Sequence, residues 1–131
     1  MDAVTRNLVR QRAGGRCEYC HLPDFAVDLT FHVEHIVASV HRVDDSLANL
    51  AWSCPRCNLR KGICLSTIDS QTEQQVNLFH PRTMTWHEHF AVQDGFIVGL
   101  TPCGRGTVRL LDMNCEHRLL LRRELIDQGE Y

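Results

Sequence analysis

The chain has 131 residues, 44% of them apolar and 23% charged, with a net charge of −2. That length suits one domain, and the apolar share suffices for a core, so wholesale disorder is excluded. No apolar run approaches the roughly 20 residues that span a bilayer, and the near-neutral balance argues against a purely electrostatic nucleic-acid binder.

Residues 3–13 predict a short helix with Val4, Leu8 and Val9 on its apolar stripe, stopped by Gly14-Gly15. Cys17-Glu18-Tyr19-Cys20 reads as a tight turn. Residues 27–37 are rich in β-branched and aromatic side chains and predict a strand. Asp44-Asp45-Ser46 reads as loop and cap, and residues 47–53 as a second short strand or extended turn. A helix over 57–64 begins within a second cysteine turn. A new segment starts at 77–81. Residues 90–100 alternate around Gln93-Asp94-Gly95, which predicts a hairpin. Residues 107–113 and 118–127 predict helices, the second ended by Gly129. No repeat, low-complexity tract or long linker interrupts this order.

Charge is spread unevenly. Residues 1–62 carry eight basic and seven acidic groups, whereas residues 63–131 carry six and nine, so an anionic partner would meet the first half. Lys61 is the single lysine among fourteen basic residues. Arginine grips phosphate bidentately, although a GC-rich coding bias gives the same composition.

Seven cysteines, an odd number, cannot all pair within the chain. With no apolar leader at Met1–Arg6, the expectation is a reducing, cytoplasmic compartment, where paired cysteines more often hold metal than each other. Cys17-x2-Cys20 and Cys54-x2-Cys57 are two such pairs. Together they offer the four thiolates of a structural zinc site; an iron–sulfur cluster and buried thiols are the alternatives. Zinc bound this way adds on the order of 10 kcal/mol of folding free energy. Cys64, Cys103 and Cys115 read as small buried residues. His87-x-His89 is either a further metal pair or, more simply, one outward residue and one packed beside Trp86 and Phe90.

Between the cysteine pairs stand His32, Glu34-His35-Ile36 and Asn49-Leu50, and the last pair runs into Cys57-Asn58-x2-Lys61. This set resembles the HNH endonucleases of the ββα-metal group, in their zinc-bearing bacterial form. Downstream, Leu78-Phe79-His80-Pro81-Arg82, Trp86, His89-Phe90, Gly99-Leu100-Thr101-Pro102 and Met113-Asn114 extend the likeness over nearly the whole chain. The implied fold is α+β: a ββα-metal core stapled by the four-cysteine zinc site, with a C-terminal hairpin and two short helices. The implied organisation is a single domain over 1–131, with a catalytic core at 1–64 and an extension at 65–131 packing on it.

The resemblance implies a metal-dependent DNA endonuclease and assigns the roles. His35 matches the general base, and a histidine suits that task at neutral pH. Glu34 and Asn58 match the ligands of a catalytic Mg2+ or Mn2+, which needs only one or two protein oxygens. Asn49 matches the residue that holds the loop so the histidine points correctly. Cys17, Cys20, Cys54 and Cys57 match the zinc ligands. His32 either touches metal or phosphate, or packs uncharged or supports a neighbouring ligand. Arg16, Arg56, Arg60 and Lys61 are the expected phosphate contacts. Strict strand alternation puts Glu34 and His35 on opposite faces, so they meet only if the strand ends or twists there. The proline and Gly-Gly of many relatives are replaced here by residues 37–43, Val-Ala-Ser-Val-His-Arg-Val. The rival class is a zinc-stapled, non-catalytic module that binds nucleic acid or protein. Target sequence, oligomeric state and any partner subunit stay open.

Overall fold

A computed structural model describes all residues 1–131. The chain forms two compact units, Met1–Ile63 and Cys64–Tyr131.

In the first unit, Asp2 caps α1 (Ala3–Arg12) by accepting from Thr5 N at 2.7 Å. Val9 is buried, whereas Val4 and Leu8 of the expected stripe stay exposed. The helix is anchored instead through its basic side: Arg12 donates to the carbonyls of Leu47 and Leu50, and Arg6 lies 4.6 Å over the Trp52 ring. Gly14 and Gly15 take positive φ and turn the chain into the first cysteine pair. A short 3-10 turn, Asp24–Ala26, precedes the expected strand, and residues 27–31 form bends and irregular chain in place of its first part. Only β1 (His32–His35) is extended, because a strand lasts only as long as it has a partner. That partner is β2 (Leu50–Ser53), antiparallel, with His35 opposite Leu50 and His32 opposite Ser53. Every residue of β2 is buried. The helix α2 (Pro55–Lys61) follows at once, with Cys54 at its N-cap and Pro55 in its first turn. The order is therefore strand, loop, strand, helix, and α2 lies against β1.

In the second unit, β3 (Ser66–Ile68) pairs with β4 (Gln75–Asn77), a hairpin the sequence pattern does not announce. The four-residue α3 (Trp86–His89) leads into β5 (Phe90–Gln93) and β6 (Phe96–Gly99). Their turn is the expected Asp94-Gly95, both residues at positive φ. The helices are α4 (Pro102–Leu110) and α5 (Glu116–Asp127). The first begins five residues before the expected 107, because Thr101 caps it by accepting from Gly104 N and Pro102 suits a first turn. Gly104 is obligatory: a Cβ there would sit 2.1 Å from the His89 carbonyl oxygen. Phe79, Trp86 and Phe90 form the aromatic core, with ring centroids 5.0 and 5.2 Å apart. This is the α+β architecture expected from the motifs. No helix is long and apolar enough to cross a membrane.

Candidate metal centre and active site

The two cysteine pairs converge. The four sulfurs of Cys17, Cys20, Cys54 and Cys57 lie within 4.8 Å of one another, and all four residues are buried. Cys20 Sγ and Cys54 Sγ are 3.8 Å apart. A tetrahedron with Zn–S bonds of about 2.3 Å has edges of about 3.8 Å, so the spacing suits zinc. The backbone contributes too: Cys57 N donates to Cys54 Sγ at 3.3 Å. Hydrogen bonds within the cluster, led by Cys17's, hold the Cys54 thiol far below its ordinary range and push Cys20 and Cys57 well above theirs. Without metal the sulfurs compete for protons; a bound zinc would leave all four as thiolates.

Each pair also carries residues that reach outward from it. In the first, Glu18 accepts from Trp52 N at 2.8 Å, tying the turn to β2. Tyr19, fully buried, donates to Glu34 Oε1 at 3.0 Å. After the second, Lys61 places Nζ 2.8 Å from the same oxygen and donates to the Ile36 carbonyl. Both partners of Glu34 are thus placed by the cysteine turns.

This corrects one expectation. Lys61 is 2% exposed, so it is an internal counter-charge to Glu34 and not a surface phosphate contact. The inward face of α2 takes it into the β1–α2 junction. Glu34 itself is 6% exposed. Burial pushes its carboxyl above the usual range, even though Lys61 and Tyr19 pull it down. Tyr19 is pushed well above the phenol range by the same burial. Glu34 Oε2 is buried and has no hydrogen-bond partner.

His35 ends β1, half-exposed where its neighbour Glu34 is buried. Its side chain is 30% exposed, and Nε2 lies 2.7 Å from Asp45 Oδ1. Asn49 is 3% exposed and acts as a clamp. It accepts from Val37 N at 2.9 Å and donates to the carbonyls of Val37 at 3.0 Å and Asp44 at 2.8 Å. One amide therefore fixes both ends of the loop that follows His35. Asn58 is half-buried on α2, three residues before Lys61 and so on the same side of the helix.

The remaining expected site residues are dispersed. His32 is exposed at the start of β1. Arg16 is half-buried and donates to the His21 carbonyl. Arg56 is half-buried with Nε enclosed, and Arg60 is exposed near the end of α2. His87 is exposed, while His89 packs on Phe79 and bonds Thr101, so this pair takes the simpler of its two readings. Cys64, Cys103 and Cys115 are each half-buried and not fully enclosed.

Residues 17–63 match the family model described as HNH endonuclease. This segment, about a third of the chain, is similar to that family. The HNH segment contains both cysteine pairs, β1, β2 and α2, and therefore the four zinc candidates together with His32, Glu34, His35, Asn49 and Asn58, while Arg16 lies just before it. No curated protein and no solved structure matches the chain. Tyr19 and Asp45 are the residues that the sequence motif did not single out. Tyr19 carried a signal, an aromatic inside a metal turn; Asp45 carried none, because its meeting with His35 depends on how the loop folds back.

Proposed function

We propose that the protein is a metal-dependent DNA endonuclease that hydrolyses phosphodiester bonds at the junction of β1 and α2. The observation that carries this reading is the Asn49 clamp. A buried amide that spends all its hydrogen bonds on the loop after His35 serves the direction of one half-exposed histidine.

His35 takes a proton from water as that water attacks phosphorus, and the P–O bond to the 3′ oxygen breaks. The products carry a 5′-phosphate and a 3′-hydroxyl. The residues that would hold a divalent ion are Glu34 and Asn58. Their donor set fits one: a carboxylate oxygen with no partner, an amide oxygen on the neighbouring helix, and room in the coordination sphere left to water and phosphate. The chemistry supplied there by bound Mg2+ or Mn2+ is neutralisation of charge on the phosphate and the leaving oxygen. Arg16, Arg56 and Arg60 are the phosphate contacts that remain once Lys61 is assigned inward.

One observation favours a second reading, a non-catalytic zinc-stapled binding module: Lys61 already neutralises Glu34. A supercoiled-plasmid nicking assay separates them. Wild type is expected to nick with Mg2+ or Mn2+ and not in excess EDTA. His35→Ala is expected to lose about 10²–10⁴-fold in rate, the usual contribution of a general base, with zinc content and melting temperature unchanged. A folded, zinc-loaded wild type that nicks in no lane would assign the fold to the binding module.

A further inference from the structure

The proposal concerns what directs His35, and it rests on the nuclease reading above. His35 Nε2 is 2.7 Å from Asp45 Oδ1. Asp45 is ten residues away in sequence, on the far side of the loop. Its side chain is 75% exposed. An exposed carboxylate–imidazole contact stabilises a fold by about 0–1 kcal/mol at most, so stability is a poor reason for this pairing to be so well built.

And it is well built, through the backbone on both sides of Asp45. The carbonyl of Asp44 accepts from Asn49 Nδ2 at 2.8 Å. Ser46 N donates to Asp44 Oδ1 at 3.0 Å, and Ser46 O accepts from Asn49 N at 2.9 Å. Asn49 in turn grips Val37, two residues after His35, through both its N–H and its carbonyl. The two strands of chain that bear His35 and Asp45 are therefore tied to one buried amide. Asp45 needs no burial to be positioned, because its main chain is fixed.

A carboxylate that accepts from one ring nitrogen decides which nitrogen is left with a lone pair. We propose that Asp45 is a positioning residue for the reaction: it accepts the Nε2–H of His35 and thereby turns the Nδ1 lone pair toward the attacking water. Asn49 sets the loop and Asp45 sets the ring. No other acidic group makes a hydrogen bond to His35 in the structure. Asp44, its neighbour, is spent on Ser46, which with its backbone N–H holds the Asp44 carboxyl below the usual range.

The test uses the full-length, zinc-loaded chain and three variants. Asp45→Ala is expected to lower kcat for plasmid nicking on the order of 10²-fold, the cost of a misdirected group, with KM for DNA and the melting temperature unchanged. Asp45→Asn replaces the carboxylate with an amide that can donate to Nε2 and leave the ring proton on Nδ1, so it is expected to lose activity at least as far as Asp45→Ala, with the melting temperature unchanged. His35→Ala marks the floor. A second readout is independent of activity. In ¹⁵N-labelled protein the hydrogen-bonded Nε2–H of His35 gives a protected ring-proton signal in wild type, absent in Asp45→Ala. If Asp45→Ala nicks like wild type while His35→Ala does not, the positioning role is overturned and the nuclease stands. If wild type does not nick, the nuclease reading fails, and the ring signal alone decides whether Asp45 holds His35: its persistence in Asp45→Ala overturns the proposal.

Discussion

Glu34–Lys61 in the first unit and Asp69–Arg105 in the second are both acid–base pairs with a buried carboxylate, yet only the second is closed. Asp69 accepts at Oδ1 from Arg105 Nε at 3.0 Å, and at Oδ2 from Arg105 Nη2 at 2.9 Å and from the Thr72 hydroxyl at 2.8 Å. Both oxygens are satisfied, and the Arg105 guanidinium, above all, holds its carboxyl far below the usual range. Glu34 gives everything to Oε1, from Lys61 and Tyr19, and leaves Oε2 buried and alone. Burial therefore wins over Lys61 and raises its pKa. A buried carboxylate with every lone pair engaged is part of the frame. One with an oxygen still unengaged costs stability as it stands, and it is the place where a cation would be most welcome. Four thiolates on one zinc would offset that cost in the first unit. The second unit has ordinary means: an aromatic core, a capped α4, and Asn114 bridging both polar groups of Ile97.

The largest expected effect breaks that comparison at its root. Cys57→Ala removes one zinc ligand and with it on the order of 10 kcal/mol of folding free energy. The HNH segment should lose its native amide spectrum while resonances of Cys64–Tyr131 persist. A variant that has lost zinc yet melts like wild type would show that the staple is not what holds the first unit.

Next comes the open pair. Glu34→Gln leaves Lys61 buried without a counter-charge and is expected to cost about 3–5 kcal/mol in urea unfolding. The double change Glu34→Gln with Lys61→Met removes both charges and should recover most of that stability, while nicking stays lost. Recovery of activity together with stability would mean that Glu34 serves the fold alone.

The closed pair gives the smallest effect, because Arg105 is 22% exposed and can turn to water where Lys61 cannot. Its signature is in pH. The folded-state pKa of Asp69 is lowered, so the native state binds fewer protons than the unfolded chain. The contribution is complete above the ordinary aspartate value of about 3.9 and is lost as pH falls through and below it. Asp69→Asn should therefore lower the stability of second-unit amides at neutral pH and converge with wild type in acid. A constant difference across pH 7 to 3, followed by hydrogen exchange, would show that the ion pair contributes through shape and not charge.

Much of the frame was legible in single residues. Gly14-Gly15 stopped α1, Asp94-Gly95 closed the hairpin, and the cysteine spacing announced a metal site, because each depends on local backbone or ligand chemistry. The Thr101-Pro102 start of α4 was missed, since the expected helix began only at 107. The β3–β4 hairpin was not legible, since three-residue strands show no period. Lys61 is the clearest case of the other kind. By composition it is a surface cation, and nothing in Cys57-Asn58-x2-Lys61 says that it turns inward to Glu34.

The sequence by itself determined the chemistry: which four thiols suit zinc, and which histidine, asparagines and glutamate form the HNH set. It could do so because ligand type and spacing are properties of the chain. Only the tertiary structure decided the partners. It turned Glu34 toward Lys61 and Tyr19, gave His35 to Asp45, and spent Asn49 on both ends of one loop. Those pairings join residues 5 to 27 positions apart, or fix a side chain's direction, and no local pattern specifies where a loop closes or which charge is left without water.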